Sequence, residues 1–263
     1  MKNFLKKYLP DPIARFYRLL THFYRLIKSI RILGWMPKYN EDRLITNHYP
    51  AFMDDNKFIA CYDSVIKKNE IVSGKIEGGI RWRAHTIVWA ANRGKNLEGD
   101  FVECGVNIGL LSKIAMDYIG FKKLNKTFFL LDTYEGLVEK YLTESEKKKG
   151  IKAGGYEPCY EQVLNTFKDY KNVKIIKGPV PDTLSEVTAK KIAYLSIDMN
   201  CVIPEIAAAE YFWDKMISGA AMVLDDYGHN SHKEQQCAFD KFAKDKNVDI
   251  LCLPTGQGLI LKP

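Results

Sequence analysis

Three features of the sequence predict an α/β fold from Leu97 to the C-terminus. Short apolar runs end in glycine or aspartate, helical segments alternate with them, and a last pair of apolar runs flanks a Thr-Gly-Gln-Gly turn. Strands that alternate with helices run parallel, because each crossover helix returns the chain to the same end of the sheet, and the helices then cover both faces. A closing hairpin adds one antiparallel strand near an edge.

The elements follow in order. "GIRWRAHTIVWAANR" reads as a helix leading into the sheet, with Arg81, Arg83 and His85 placed to reach an anionic group. "GDFVECGV" is the first strand and "GLLSKIAMDYI" a helix; "TFFLLDTY" is the second strand. A segment rich in Lys, Glu and Gly, residues 135–160, interrupts the alternation, and its glycines at 150, 154 and 155 suit an active-site lid. "YEQVLNTFKDY" resumes as a helix, "VKIIKG" is the third strand and "KIAYLSIDMN" the fourth. "PEIAAAEYFWDKMI" is a helix, "AAMVLDD" the fifth strand and "HKEQQCAFDKFAKD" a helix; "DILCLP" and "GLILKP" form the hairpin.

The 263 residues suffice for one α/β core with an extra segment, and no apolar stretch approaches the roughly 20 residues that span a bilayer. The net charge of +7 lies entirely in residues 1–35, where eight Lys and Arg face Asp11 alone. The neutral remainder argues against a nucleic-acid binder, which would carry basic residues across a folded face. Within the basic segment, Ile13, Phe16, Tyr17, Leu20, Phe23, Tyr24, Ile27 and Ile30 fall at helical spacing. A basic amphipathic helix of this kind suits a subunit interface, an intramolecular contact or the anionic inner surface of a membrane. The six cysteines form no CxxC pair and read as small buried hydrophobes in a reducing cytoplasm.

In a doubly wound sheet, ligands bind beyond the carboxyl ends of the strands where the strand order reverses. Every polar motif here falls at such an end. Glu103, Gly105, Asn107 and Gly109 lie where the first strand turns into a helix, without the Gly-x-Gly-x-x-Gly of a dinucleotide fold. An acid before the turn opposes a pyrophosphate and suits the ammonium and sulfonium of S-adenosylmethionine. Asp132, at the second strand end, is placed to accept ribose hydroxyls. Asp198 ends the fourth strand, and Asp225 with Asp226 ends the fifth. Three carboxylates converging on adjacent strands suit a hard divalent cation such as Mg²⁺, which would neutralise them. His229, on the same loop, is a candidate general base and Asp198 its rival.

At these residues the chain resembles S-adenosylmethionine-dependent O-methyltransferases of the macrocin O-methyltransferase (TylF/MycF) type. The stretches that carry the resemblance are "GDFVECGVNIG", "LLDTYEGL", "IKGPVPDTL", "YLSIDMN" and "VLDDYGH", in the family's order, within residues 80–263. The resemblance implies a class I methyltransferase (Rossmann-like) fold with a mostly parallel seven-stranded sheet. It also implies a donor loop from Glu103 to Gly109 with Asp132, and a divalent metal on Asp198, Asp225 and Asp226. Asn200 stands where many sugar methyltransferases of this type carry a second aspartate.

The expected organisation is an N-terminal helical arm and lead-in over residues 1–75 and a methyltransferase domain over 76–263. The expected reaction is metal-assisted methylation of a sugar hydroxyl on a small molecule or lipid-linked glycan, by a cytoplasmic homo-oligomer with membrane contact through residues 1–35. The alternatives are a phenolic acceptor and a non-catalytic protein that keeps the fold.

Overall fold

The computed structural model describes residues 37–73 and 79–263, with positions 19, 20, 23, 24 and 27 before them. The amphipathic arm read from residues 1–35 lies almost wholly outside the described residues. The chain divides into two units between residues 51 and 52. In the first, β1 (Tyr39–Glu41) and β2 (Leu44–Thr46) form an antiparallel hairpin.

The second unit begins with α1 (Asn56–Ser73) and α2 (Arg81–Lys95). There follow β3 (Asp100–Cys104), α3 (Leu110–Ile119), β4 (Phe128–Asp132), α4 (Glu144–Lys148), α5 (Tyr160–Phe167) and β5 (Val173–Lys177). The chain then continues through β6 (Ile192–Ile197), α6 (Val202–Trp213), β7 (Met216–Leu224), α7 (Lys233–Lys246), β8 (Leu251–Cys252) and β9 (Gly258–Leu261). The seven strands lie in the order β5-β4-β3-β6-β7-β9-β8. The first five are parallel, and β9 runs antiparallel to both β7 and β8. This is the mostly parallel seven-stranded sheet with a closing hairpin that the alternation of elements predicts. It differs at β7, which begins at Met216 within a stretch read as the end of a helix. Gly219, at φ 80°, carries that longer strand through an irregularity and donates its N–H to Lys262 O at 2.8 Å.

Side-chain alternation divides the core into two layers. Phe101, Phe128, Leu130, Tyr194, Ala221 and Val223 face a cluster that includes Phe58 and Tyr62 of α1, Ile87 and Ala91 of α2, and Ile114 of α3. Val102, Phe129, Leu131, Leu195, Ile197, Met222 and Leu224 face Ala208 and Phe212 of α6 and Phe239 of α7. Both faces being covered, the strands read as near-continuous apolar runs. Three of the six cysteines are buried, whereas Cys237 and Cys252 are exposed: one lies on α7 and the other on an edge strand. Among the described residues no helix is long and apolar enough to cross a membrane.

The strand order reverses between β3 and β6, and one residue makes their ends meet. Asp198 N donates to Cys104 O at 2.8 Å, and a Cβ on Gly105 would lie 1.7 Å from the Asp198 carbonyl oxygen. Gly105 also sits at φ 89°, where side chains are strained. Gly105→Ala is therefore expected to lower stability by about 3 kcal/mol, a fall in Tm of roughly 6–12 °C for a domain of this size. Gly150→Ala is the control: its φ of 87° is similar but nothing lies within 4 Å. It should cost only about 1 kcal/mol, measured by the same thermal melt.

Candidate active site

The loop after β3 is shaped by a carboxylate from the neighbouring strand. Asp132 Oδ2 accepts the backbone N–H groups of Val106 and Asn107, both at 2.7 Å. Its Oδ1 accepts the N–H of Tyr134 at 2.7 Å, while the Thr133 hydroxyl, 3.3 Å from Oδ1, lies closer to Gly136 O at 2.6 Å. Three backbone N–H donors thus converge on this one carboxylate. They hold two non-glycine residues in left-handed backbone, Asn107 at φ 49° and Tyr134 at φ 57°. In the structure Asp132 is thus the clamp of the glycine loop.

Beneath the loop, Glu103 is 4% exposed and its Oε2 accepts a bond from Ser112 Oγ at 2.5 Å. Burial pushes its carboxyl up to about 8; the Ser112 bond opposes the rise, and the charges of Asp225 and Asp132 add to it. At neutral pH the group is mostly uncharged. Gly109, against the ring of Phe167, is the N-cap of α3, and no side chain caps that helix end.

Asp198 follows β6, and Asp225 and Asp226 follow the adjacent β7. The positive group beside the pair is Arg83 of α2, whose Nη2 lies 2.8 Å from Asp225 Oδ2 and 3.9 Å from Asp226 Oδ1. Gln257, fully buried in the turn before β9, donates from Nε2 to Asp225 Oδ1 at 2.9 Å. Both oxygens of Asp225 are therefore engaged. Asp226 is 8% exposed, and its buried Oδ2 has no hydrogen-bond partner, with His232 Nε2 3.9 Å away. Asp198 accepts a bond from Asn200 Nδ2 at 3.2 Å. Burial first, and then the charges of the neighbouring aspartates, push Asp198 well above the usual carboxylate range and raise Asp226 as well. Such shifts mark a rim short of positive charge.

Among the described residues no three His, Cys, Asp or Glu side chains form a ready-made metal cage. The reason is visible at Asp225, which is turned to Arg83 and Gln257. The donor set nonetheless fits a hard divalent cation: all its ligand atoms are carboxylate oxygens, and one of them is buried and orphaned.

Buried polar bonds fix the loop that carries Asp198. Glu205 Oε1 accepts Met199 N at 3.0 Å and Gln235 Nε2 at 2.8 Å. Glu146, 3% exposed, accepts Val202 N at 2.9 Å through Oε1 and Thr143 N at 2.7 Å through Oε2. Glu146 belongs to the 135–160 segment, so this segment is buckled to the start of α6. A bridge between Leu137 and Gly154, with bonds of 2.9 and 2.8 Å, closes its base. The segment also carries Tyr156 toward the acids. Although the residue is 44% exposed, partial desolvation and then the charges of Asp198, Asp226 and Asp132 push that phenol up to about 12.

Of the sequence-predicted residues, the structure brings Asp198, Asp225 and Asp226 to one rim, beside the Glu103–Gly109 loop and Asp132. His229 is on the same loop, with Nδ1 2.7 Å from Ser231 Oγ and its ring 5.2 Å from that of His232. Arg81 and His85 point elsewhere: Arg81 lies over Tyr62 near Asp63, and His85 stacks on Phe52 at 4.4 Å. Sequence reasoning missed Gln257, His232, Tyr156 and Glu146. Only His232 had a local signal, a second histidine on the loop after the aspartate pair.

A model of the macrocin O-methyltransferase (TylF) family matches residues 71–251, more than half of the chain. No curated protein matches by sequence. Among solved structures, the O-methyltransferase NovP is 16% identical with a TM-score of 0.60, over 92% of this chain and 98% of its own. The calicheamicin methyltransferase CalS11 is 10% identical with a TM-score of 0.53, over 81% and 94%. A methyltransferase of Podospora anserina, PaMTH1, is 12% identical with a TM-score of 0.51, over 79% and 88%.

The Glu103 carboxyl gives a pH prediction. Its folded pKa of about 8 lies above the unfolded value, so its contribution to stability is complete at low pH and lost as pH rises to about 8. Glu103→Gln lacks that loss. Relative to the parent chain it should gain about 2–3 kcal/mol in denaturant unfolding between pH 5.5 and 8.5.

Proposed function

The chain belongs to the macrocin O-methyltransferase (TylF) family, an S-adenosylmethionine-dependent O-methyltransferase, and from that premise we propose that its acceptor is a sugar hydroxyl, methylated with help from a divalent cation on the acid rim. One observation carries the reading: Gly105 of the donor loop packs on the carbonyl of Asp198, so that donor loop and acid rim are contiguous. CalS11, a TDP-rhamnose 3′-O-methyltransferase, shows the acceptor chemistry meant. A phenolic acceptor is the alternative.

Methyl transfer from a sulfonium is an in-line displacement, so the chain must place the acceptor oxygen opposite the leaving sulfur and take its proton. The loop clamped by Asp132 would hold the donor, and the uncapped N-terminus of α3 suits its carboxylate. Asp198 and Asp226, the latter with its orphaned oxygen, would hold the cation, with Asp225 beside them under Arg83. When bound, such an ion lowers the pKa of a vicinal sugar hydroxyl and balances the rim. His229, its ring tied to Ser231, would take the proton. Tyr156 stays protonated near the acids and would donate to the acceptor.

Labelled donor offered with a panel of nucleotide sugars, glycosides and catechols tests the acceptor class; transfer confined to catechols would move the reading to the alternative. Activity undiminished in EDTA would remove the cation. His229→Ala should lower kcat about 10²–10⁴-fold with donor affinity unchanged. A loss seen with His232→Ala alone would transfer the base to that residue.

A further inference from the structure

Among the described residues, Arg83 brings a permanent positive charge to the acid rim, where His229 and His232 also act on Asp226. Three carboxylates meet there, and of the buried acids around them Glu103 and Glu205 are each raised to about 8 by burial, so both are mostly neutral near pH 7. Arg83 reaches the rim from α2, an element that contributes no residue to the donor loop. It takes Asp225 at 2.8 Å and stands 3.9 Å from Asp226. Its side chain is 22% exposed and that of Asp225 3%. On the far side, fully buried Gln257 holds the other oxygen of Asp225 at 2.9 Å. Asp226 Oδ2 is left buried with no bond.

We infer that Arg83 is a positioning residue, the resident counter-ion of the rim. It keeps Asp225 ordered whether or not a divalent ion is bound, and it offsets the charge of Asp225, so that a divalent ion has only Asp198 and Asp226 to balance. The inference rests on the cation reading above. Its physical basis is that a buried carboxylate left without its partner is strongly destabilising, whereas an exchangeable ion can replace a fixed one only where carboxylate oxygens are free to receive it. The guanidinium, always charged, is suited to the fixed role.

The test measures the full chain by thermal unfolding in EDTA and in millimolar MgCl₂. Arg83→Gln should unfold at a lower temperature than the parent in EDTA, and Mg²⁺ should raise its Tm by at least about 4 °C more than it raises the parent's. Arg83→Lys, which keeps the charge, should show the parent's Mg²⁺ shift. A purely structural arginine would instead lower Tm equally in both buffers, and equal shifts in parent and Gln variant overturn the inference while leaving the cation reading intact. No shift in either protein overturns both. If Arg83→Gln folds only in Mg²⁺, the inference is supported in its strongest form; if it folds in neither buffer, Arg83→Lys decides, and loss of the Mg²⁺ shift in that variant overturns it.

Discussion

Repulsion among Asp198, Asp225 and Asp226, crowded at one end of a parallel sheet, is the constraint around which the rest of the site is built. Burial first, and then the like charges beside them, favour the protonated form of Asp198 and Asp226. The chain answers at each carboxylate differently. Asp225 receives Arg83 from one side and Gln257 from the other; Asp198 receives Asn200; Asp226 keeps a buried oxygen without a partner. That unmet acceptor lies at a rim which adjoins the glycine loop, since Gly105 packs on the carbonyl of Asp198.

The topology explains why these groups can meet at all. The order of strands reverses between β3 and β6, which opens a crevice beyond their ends, and the close approach at Gly105 joins the two sides of it. Polar loops over a crevice need bonds of their own, and acids supply them: half-buried Asp132 for the glycine loop, buried Glu205 for the loop after β6 and buried Glu146 for the 135–160 segment. The last of these buckles that segment to the start of α6, because its carboxylate spans Thr143 N and Val202 N.

Much of this was legible in the sequence, and the line between what was and was not follows sequence distance. Strand ends, the glycine loop and the aspartates announce themselves by periodicity and by residue type at a known offset, so the sheet and the converging acids could be read directly. The start of β7 could not, since Gly219 and the apolar residues before it fit either a helix end or a bulged strand. Pairings across the fold left no trace. Nothing local ties Arg83 to Asp225, Gln257 to the same carboxylate, or Glu146 to Val202. Asp132 shows the subtler failure: its position was readable, but its bonds to the loop's N–H groups depend on the left-handed turn at Asn107.

The central claim is that the acid rim and the glycine loop form one methyl-transfer site with an exchangeable cation. Anomalous diffraction from crystals of the full chain grown with Mn²⁺ and S-adenosylhomocysteine tests it most directly. The expected result is a manganese peak at Asp198 and Asp226 with the donor product on the Glu103–Gly109 loop. Donor product on that loop with no manganese at the rim, or manganese bound only elsewhere, would contradict it.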